Sequence, residues 1–306
     1  MKTAYEFHTL DVFTQKRFGG NPLAVFPDAA GLGTEVMQKI AREMNLSESV
    51  FVQPPADPRA LCRVRIFTPG SELPFAGHPT VGAGYVLATI GRIPLREGRA
   101  TVLFEEGVGL VPVEVRTRGG KPDFVQFTAA KLPEFGPPPP DRAQLAALLH
   151  LQPEDILQGA DRPEAASCGV PFLFVPVRSR QVLARAAPDV YRWQSTLGDY
   201  WARDVFIFAR DPELPGSNLR ARMFAPEHGI VEDPATGGAC AALGGYLGAR
   251  ATITDGTLRC VVEQGFEMGR PSLLHVETDL KSRRITAVRV GGHAVLVSHG
   301  TLRLDE

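Results

Sequence analysis

RVRIFTPGSELPFAGHPTVGAGYVL, residues Arg63–Leu87, has a counterpart about half the chain away: RARMFAPEHGIVEDPATGGACAALGGYL, residues Arg220–Leu247. Both begin R-x-R-x-F-x-P. Both pass through a polar loop into A-G-H or A-T-G, and both end in small residues followed by Gly-Tyr and leucine. Two copies of so specific a start predict a duplicated domain. Each copy delivers the N-terminus of an apolar helix. Pro79 suits a first helical turn, where its missing N–H is not needed. Gly77 and Gly237 let backbone approach a ligand closely. Free N–H groups and the positive end of the helix dipole make such a mouth favourable for an anion. If the copies face each other, the two mouths would converge on a carboxylate substrate, or on charge developing beside one.

Working outward, the rest of the chain mixes strands and helices, an α+β pattern. AYEFHTLDVFT, SESVFVQPP, CRVRIFTP, FLFVPV and DVFIFA read as strands. GTEVMQKIAREMN has Val36, Ile40 and Met44 at helical spacing, with Thr34 as its expected N-cap. The run Pro137–Pro140 cannot continue a helix and marks a stiff connector, after which Asp141 caps RAQLAALLHL. The expected domains are 1–130 and 131–306. The place of the final strand, HAVLVSHGTLRL, is left open between them.

Bulk composition narrows the function. The chain has 306 residues, 44% hydrophobic, with 33 basic against 34 acidic side chains. That balance gives no electrostatic case for nucleic acid or an anionic membrane, so a small molecule is the expected partner. No stretch has the ~18 unbroken apolar residues of a membrane span, and the start is too polar for a signal peptide. Cys62, Cys168, Cys240 and Cys260 lack C-x-x-C spacing, which predicts free thiols and a cytoplasmic protein. Within the second apolar helix, Cys240 reads as a buried thiol. No phosphate-binding loop, dinucleotide fingerprint or H-E-x-x-H pattern is present, so no cofactor and no metal are expected.

Three residues stand out for chemistry, each with a plainer reading beside it. Glu48 opens an apolar strand, and apolar walls would lift its pKa toward the range useful for proton transfer. By pattern alone it would be an edge residue facing water. His78 could polarise a substrate or shuttle a proton, or could cap its helix or bond backbone in the core. Asp233 could bind substrate or orient His78, or form an Asx turn before Pro234. Glu232 is its neighbouring competitor.

At these residues the sequence resembles a known group. DVFT…FGGNPLAVF, NLSESVFV, RIFTP…ELPFAGHPTVG, FAPEHGIVEDPATGGA and QGFEMGRPS are similar to the phenazine-biosynthesis isomerase family, in the family's order and across nearly the whole chain. The resemblance implies the diaminopimelate epimerase-like fold: two similar lobes, each a barrel-like, mostly antiparallel sheet around a central helix. It implies a cofactor-independent isomerase or epimerase and a homodimer. Glu48 matches the catalytic acid/base, which in the namesake reaction would move a proton between carbons of dihydro-hydroxyanthranilate. His78 and Asp233 match the groups that hold the substrate, and Ser47, Gly77 and Gly237 match contact positions. The family loop usually reads D-P-A-T-G-S, and Gly238 stands where that serine would be. The absent hydroxyl motivates an alternative, a catalytically idle small-molecule binder on the same scaffold. A lyase using the same base is a further alternative. The epimerase cousins carry a cysteine at each helix start; these loops do not, so a two-thiol mechanism is not expected.

Overall fold

The computed structural model describes residues 3–304. The elements of the first half are β1 (Ala4–Val12), β2 (Asn21–Phe26), α1 (Thr34–Met44), β3 (Glu48–Gln53), β4 (Cys62–Phe67), β5 (Glu72–Leu73), α2 (Gly77–Thr89), β6 (Arg99–Glu106), β7 (Gly109–Arg118) and β8 (Lys121–Thr128). There follow β9 (Glu134–Phe135), α3 (Arg142–Leu148), β10 (Glu164–Ser167), β11 (Pro171–Pro176), α4 (Arg180–Arg185), α5 (Val190–Leu197), β12 (Asp204–Ala209) and β13 (Leu219–Ala225). The chain closes with β14 (Ile230–Asp233), α6 (Gly237–Gly248), β15 (Gly256–Gln264), β16 (Ser272–Lys281), β17 (Arg284–Gly292) and β18 (Ala294–Arg303). Two compact units result: Met1–Ala130 with Val290–Glu306, and Lys131–Arg289. The last strand groups with the first unit rather than with 131–306, because β18 pairs antiparallel along the length of β1.

Strand order within each unit makes the duplication explicit. In the first, β1–β2 is antiparallel, β2–β3 parallel, β3–β4 antiparallel, β4–β6 parallel and β6–β7 antiparallel. In the second, β10–β11, β11–β12, β12–β13, β13–β15 and β15–β16 follow the same sequence of senses. The short β5 and β14 add antiparallel to β4 and β13. The repeat therefore starts earlier than R-x-R-x-F-x-P. Gly20-Asn-Pro-Leu-Ala-Val-Phe leads into β2 as Gly169-Val-Pro-Phe-Leu-Phe-Val leads into β11, and both glycines have positive φ.

The shared R-x-R-x-F-x-P has a physical reason in each unit. Arg65 forks onto Glu72 with two bonds of 2.7 Å, and Arg222 onto Glu232 with two of 2.8 Å. These paired contacts tie the strand to the loop that feeds the helix. The phenylalanine two residues on packs against each guanidinium, Phe67 at 5.2 Å and Phe224 at 4.9 Å. Glu105 accepts the N–H groups of Ala56 and Asp57, and Glu263, at the same register, those of Glu213 and Leu214.

Each unit holds one helix apolar on all sides. In α2 every residue from Gly77 to Gly84 is buried, and strands β1, β2, β3, β4, β7, β8 and β18 contact it. A helix without a polar face has no stable place except inside. A Cβ on Gly84 would stand 2.9 Å from Val125, so the glycine permits the close approach. Helix α6 is buried likewise; a Cβ on Gly245 would lie 2.4 Å from the Pro133 ring. Amphipathic helices cover the outer faces. Met37, Ile40 and Ala41 of α1 meet Phe26, Phe51 and Phe67. Leu145, Leu183 and Trp193, from α3, α4 and α5, meet Val175, Val205 and Ile207.

Two local expectations differ. Thr34 is the first residue of α1, not its cap; Gly33 is the N-cap, and Thr34 Oγ1 accepts from Arg65 instead. The buried stripe of α1 runs through Met37, Ile40 and Ala41, with Val36 and Met44 only partly covered. Asp141 does cap α3, in a capping box with Gln144. All four cysteines are free and buried. Among the described residues no helix is long and apolar enough to cross a membrane.

Candidate active site

Three separate pieces of the first unit build its helix mouth. Asn21 opens β2, Glu48 opens β3, and His78 is the second residue of α2. The loop Pro74-Phe75 brings the chain to Ala76, an extended N-cap that offers no side-chain hydrogen bond to the helix. The N–H groups of the first turn are thus left to be satisfied by something other than a side-chain cap.

Glu48 is only 8% exposed and His78 only 3%. The reading of Glu48 as a water-facing edge residue is overturned, because β3 runs between β2 and β4 and its first side chain turns inward. His78 Nε2 lies 3.2 Å from Glu48 Oε2, and His78 Nδ1 lies 3.2 Å from Asn21 Nδ2. An amide nitrogen can only donate, so Nδ1 accepts and the ring proton sits on Nε2. His78 Nε2–H therefore faces the Glu48 carboxylate at close range without meeting the geometry of a formed hydrogen bond. Burial pushes the imidazole pKa down to about 3, so the contact joins a neutral donor to a carboxylate rather than two charges. The buried ring thus stays neutral beside Glu48. Gly77 is buried in the first turn, and Ser47 is half-buried just before β3.

In the second unit the corresponding loop is knit more tightly. Asp233 ends β14 and is 5% exposed. Its Oδ2 accepts the Thr236 hydroxyl at 2.6 Å. Gln264 secures the same turn: its Nε2 donates to the Asp233 carbonyl and to Thr236 Oγ1, and its Oε1 accepts the Thr236 N–H. Gly237 is the buried first residue of α6, and half-buried Gly238 follows. A Cβ at Gly238 would meet only Phe172, at an ordinary 3.8 Å. Packing therefore does not demand glycine there, and a serine would fit. The competitor Glu232 is engaged by Arg222 and belongs to the framework. Cys240 is fully buried, and burial holds its thiol well above the usual range.

Strand registers expose residues that the sequence reading passed over. Ser49 pairs with Phe67 and Val205 with Phe224, so Asp204 occupies in the second unit the place of Glu48 in the first. Asp204 is 8% exposed, and its Oδ1 lies 3.4 Å from His228 Nε2. The bond to Asp204 raises the His228 pKa above its ordinary value. Likewise Arg63 pairs with Glu105 and Arg220 with Glu263, which makes Glu106 the counterpart of Gln264. Asn21 was the missing partner of His78. The matching G-N-P and G-V-P starts were the available signal for aligning β2 with β11. Among the described residues no group of three or more His, Cys, Asp or Glu is placed to hold a metal.

The profile of the family described as phenazine biosynthesis-like protein matches residues 10–300. The chain belongs to the phenazine biosynthesis-like family. An uncharacterised isomerase of this kind from Mesorhizobium japonicum is 40% identical, covering 95% of this chain and 96% of the relative. The trans-2,3-dihydro-3-hydroxyanthranilate isomerase of Pseudomonas aeruginosa is 34% identical, covering 97% of this chain and 98% of the enzyme. The crystal structure of the Bacillus anthracis phenazine biosynthesis protein of the PhzF family superposes with a TM-score of 0.87 at 27% identity, over 99% of both chains. The protein is an isomerase of this family.

Proposed function

We propose that the protein moves a proton from one carbon to another of a small carboxylated metabolite, with Glu48 first as base and then as acid. The observation that carries this reading is the buried Glu48 carboxylate, 3.2 Å from Nε2 of neutral His78 at the mouth of α2, whose N-cap offers no side-chain hydrogen bond. A proton-transfer carboxylate must be oriented, and we assign that role to His78, which stays neutral beside it. The first-turn N–H groups around Gly77 suit the substrate's carboxylate or the charge that develops beside it. We assign Ser47, Gly77, Gly237 and Gly238 to substrate contact. Asp233, its carboxylate braced by Thr236, is assigned to accept a hydrogen bond from the substrate.

The name of the Pseudomonas aeruginosa relative makes trans-2,3-dihydro-3-hydroxyanthranilate the first substrate to test. In deuterium oxide the wild type should place solvent deuterium in the product. Glu48→Gln should slow this by about 10²–10⁴-fold, the usual worth of general acid–base catalysis. Undiminished exchange in Glu48→Gln would remove Glu48 from the role. An idle binder would exchange nothing in either form.

A further inference from the structure

Glu106 ends β6 beneath the first turn of α2, 6% exposed, and plays no part in the chemistry above. Its Oε1 lies 2.9 Å from Thr80 Oγ1, which also lies 2.8 Å from the carbonyl oxygen of Ala76. Oε2 is buried and, among the described residues, makes no hydrogen bond. A threonine hydroxyl has one proton and two lone pairs. It cannot donate to the Ala76 carbonyl and to a carboxylate at once. The carbonyl has no proton to offer, so both contacts can be hydrogen bonds only if the Thr80 proton goes to Ala76. The remaining contact then needs a proton from Glu106.

The second unit supports this assignment. At the same register stands Gln264, a neutral group of the same shape, which secures the start of α6 through Thr236. A carboxylic acid is the charge-neutral equivalent of that amide. An acid oxygen left without a partner in the interior also costs far less than a carboxylate oxygen so placed.

We propose that Glu106 is a positioning residue that carries its proton at neutral pH and donates it to Thr80, thereby fixing the first turn of α2 and the His78 within it. The titratable group facing it is the Cys62 thiol of β4, itself pushed up to about 12 by burial, with Glu106 a lesser cause. The neighbouring Glu105 is occupied by the Ala56 and Asp57 N–H groups. Among the described residues no cation is hydrogen-bonded to Glu106, and burial lifts its carboxyl to about 8, against the smaller opposing pull of the Thr80 hydroxyl. In mild alkali the proton is lost, the Thr80 hydroxyl turns toward the new carboxylate, and the Ala76 carbonyl loses its side-chain donor. The consequence for catalysis rests on the Glu48 reading; the protonation does not.

Infrared difference spectroscopy of the whole protein tests it without any substrate. At pH 7 the wild type should show the C=O stretch of a protonated, buried carboxylic acid, bleaching with a midpoint near 8. Glu106→Gln should lack the band. Thr80→Val should keep it but move it to higher frequency, because the acid O–H no longer donates to a hydroxyl. The Gly77 and His78 amide resonances should shift with the same midpoint in the wild type and stay flat in Glu106→Gln. Absence of the band at pH 7, its persistence in Glu106→Gln, its indifference to Thr80→Val, or amides that ignore the titration would each overturn the proposal. If Glu48→Gln exchanged normally while the band behaved as described, only the catalytic reading would fall.

Discussion

Replacing His78 by glutamine should change how the protein withstands acid, in a way that can be calculated. In the folded protein the imidazole pKa falls from 6.5 to about 3 because the ring is buried. The unfolded chain therefore takes up a proton between those limits that the folded chain refuses. Stability that is fully present above pH 6.5 is lost as pH drops toward 3. One proton gives a slope of about 1.4 kcal/mol per pH unit, and the full interval amounts to about 5 kcal/mol. Only 3% of the residue is exposed, so water screens little of this. Carboxylates elsewhere also titrate in the range, but they are common to both proteins and cancel in the difference. Urea unfolding of wild type and His78→Gln at half-unit steps from pH 7 to pH 4 would give that difference directly. The variant should lose ground at neutral pH and regain it steadily as the solution is acidified. Parallel curves would mean that His78 accepts a proton in the folded state, and the neutral-donor description of its contact with Glu48 would fall.

Two other outcomes follow from the same geometry. In the second unit, Asp204→Asn should lower the His228 pKa toward or below its ordinary value, because the bond to Asp204 is the main cause of its rise; NMR titration of the ring protons measures this, and an unmoved titration would dissolve the pair. On α6, Gly238→Ser should alter stability by no more than about 0.5 kcal/mol, since its Cβ meets only Phe172 at 3.8 Å, whereas Gly245→Ala should cost about 1–3 kcal/mol against the Pro133 ring at 2.4 Å. Thermal unfolding of the two variants side by side distinguishes a tolerant helix mouth from a tight helix body.

The duplication was legible because R-x-R-x-F-x-P encodes a constraint local in sequence. An arginine reaches a glutamate a few residues on, and its phenylalanine neighbour packs beneath it. The apolar helices were legible for a similar reason: a segment without charge cannot lie on a surface. Glu48 was harder. Its position at a strand start is visible, but whether that start faces water depends on which strands flank it, and β2 and β4 arrive from other parts of the chain. Asp204 and Glu106 were out of reach for the same reason, since each gains meaning only once strand registers align the two units. The error at Thr34 has a local cause. Glycine also serves as an N-cap, and Gly33 took the position while the threonine hydroxyl found Arg65.

The glycines that admit α2 and α6 into their sheets also pin them. A helix whose backbone lies this close to surrounding side chains at Gly82 and Gly84, or at Gly244, Gly245 and Gly248, cannot slide or turn without collision, so each behaves as a fixed spindle. Change at matching places is then easiest at the spindle's tip, where His78 of one unit already stands opposite Gly238 of the other in the alignment, while the glycine-lined body stays where it is.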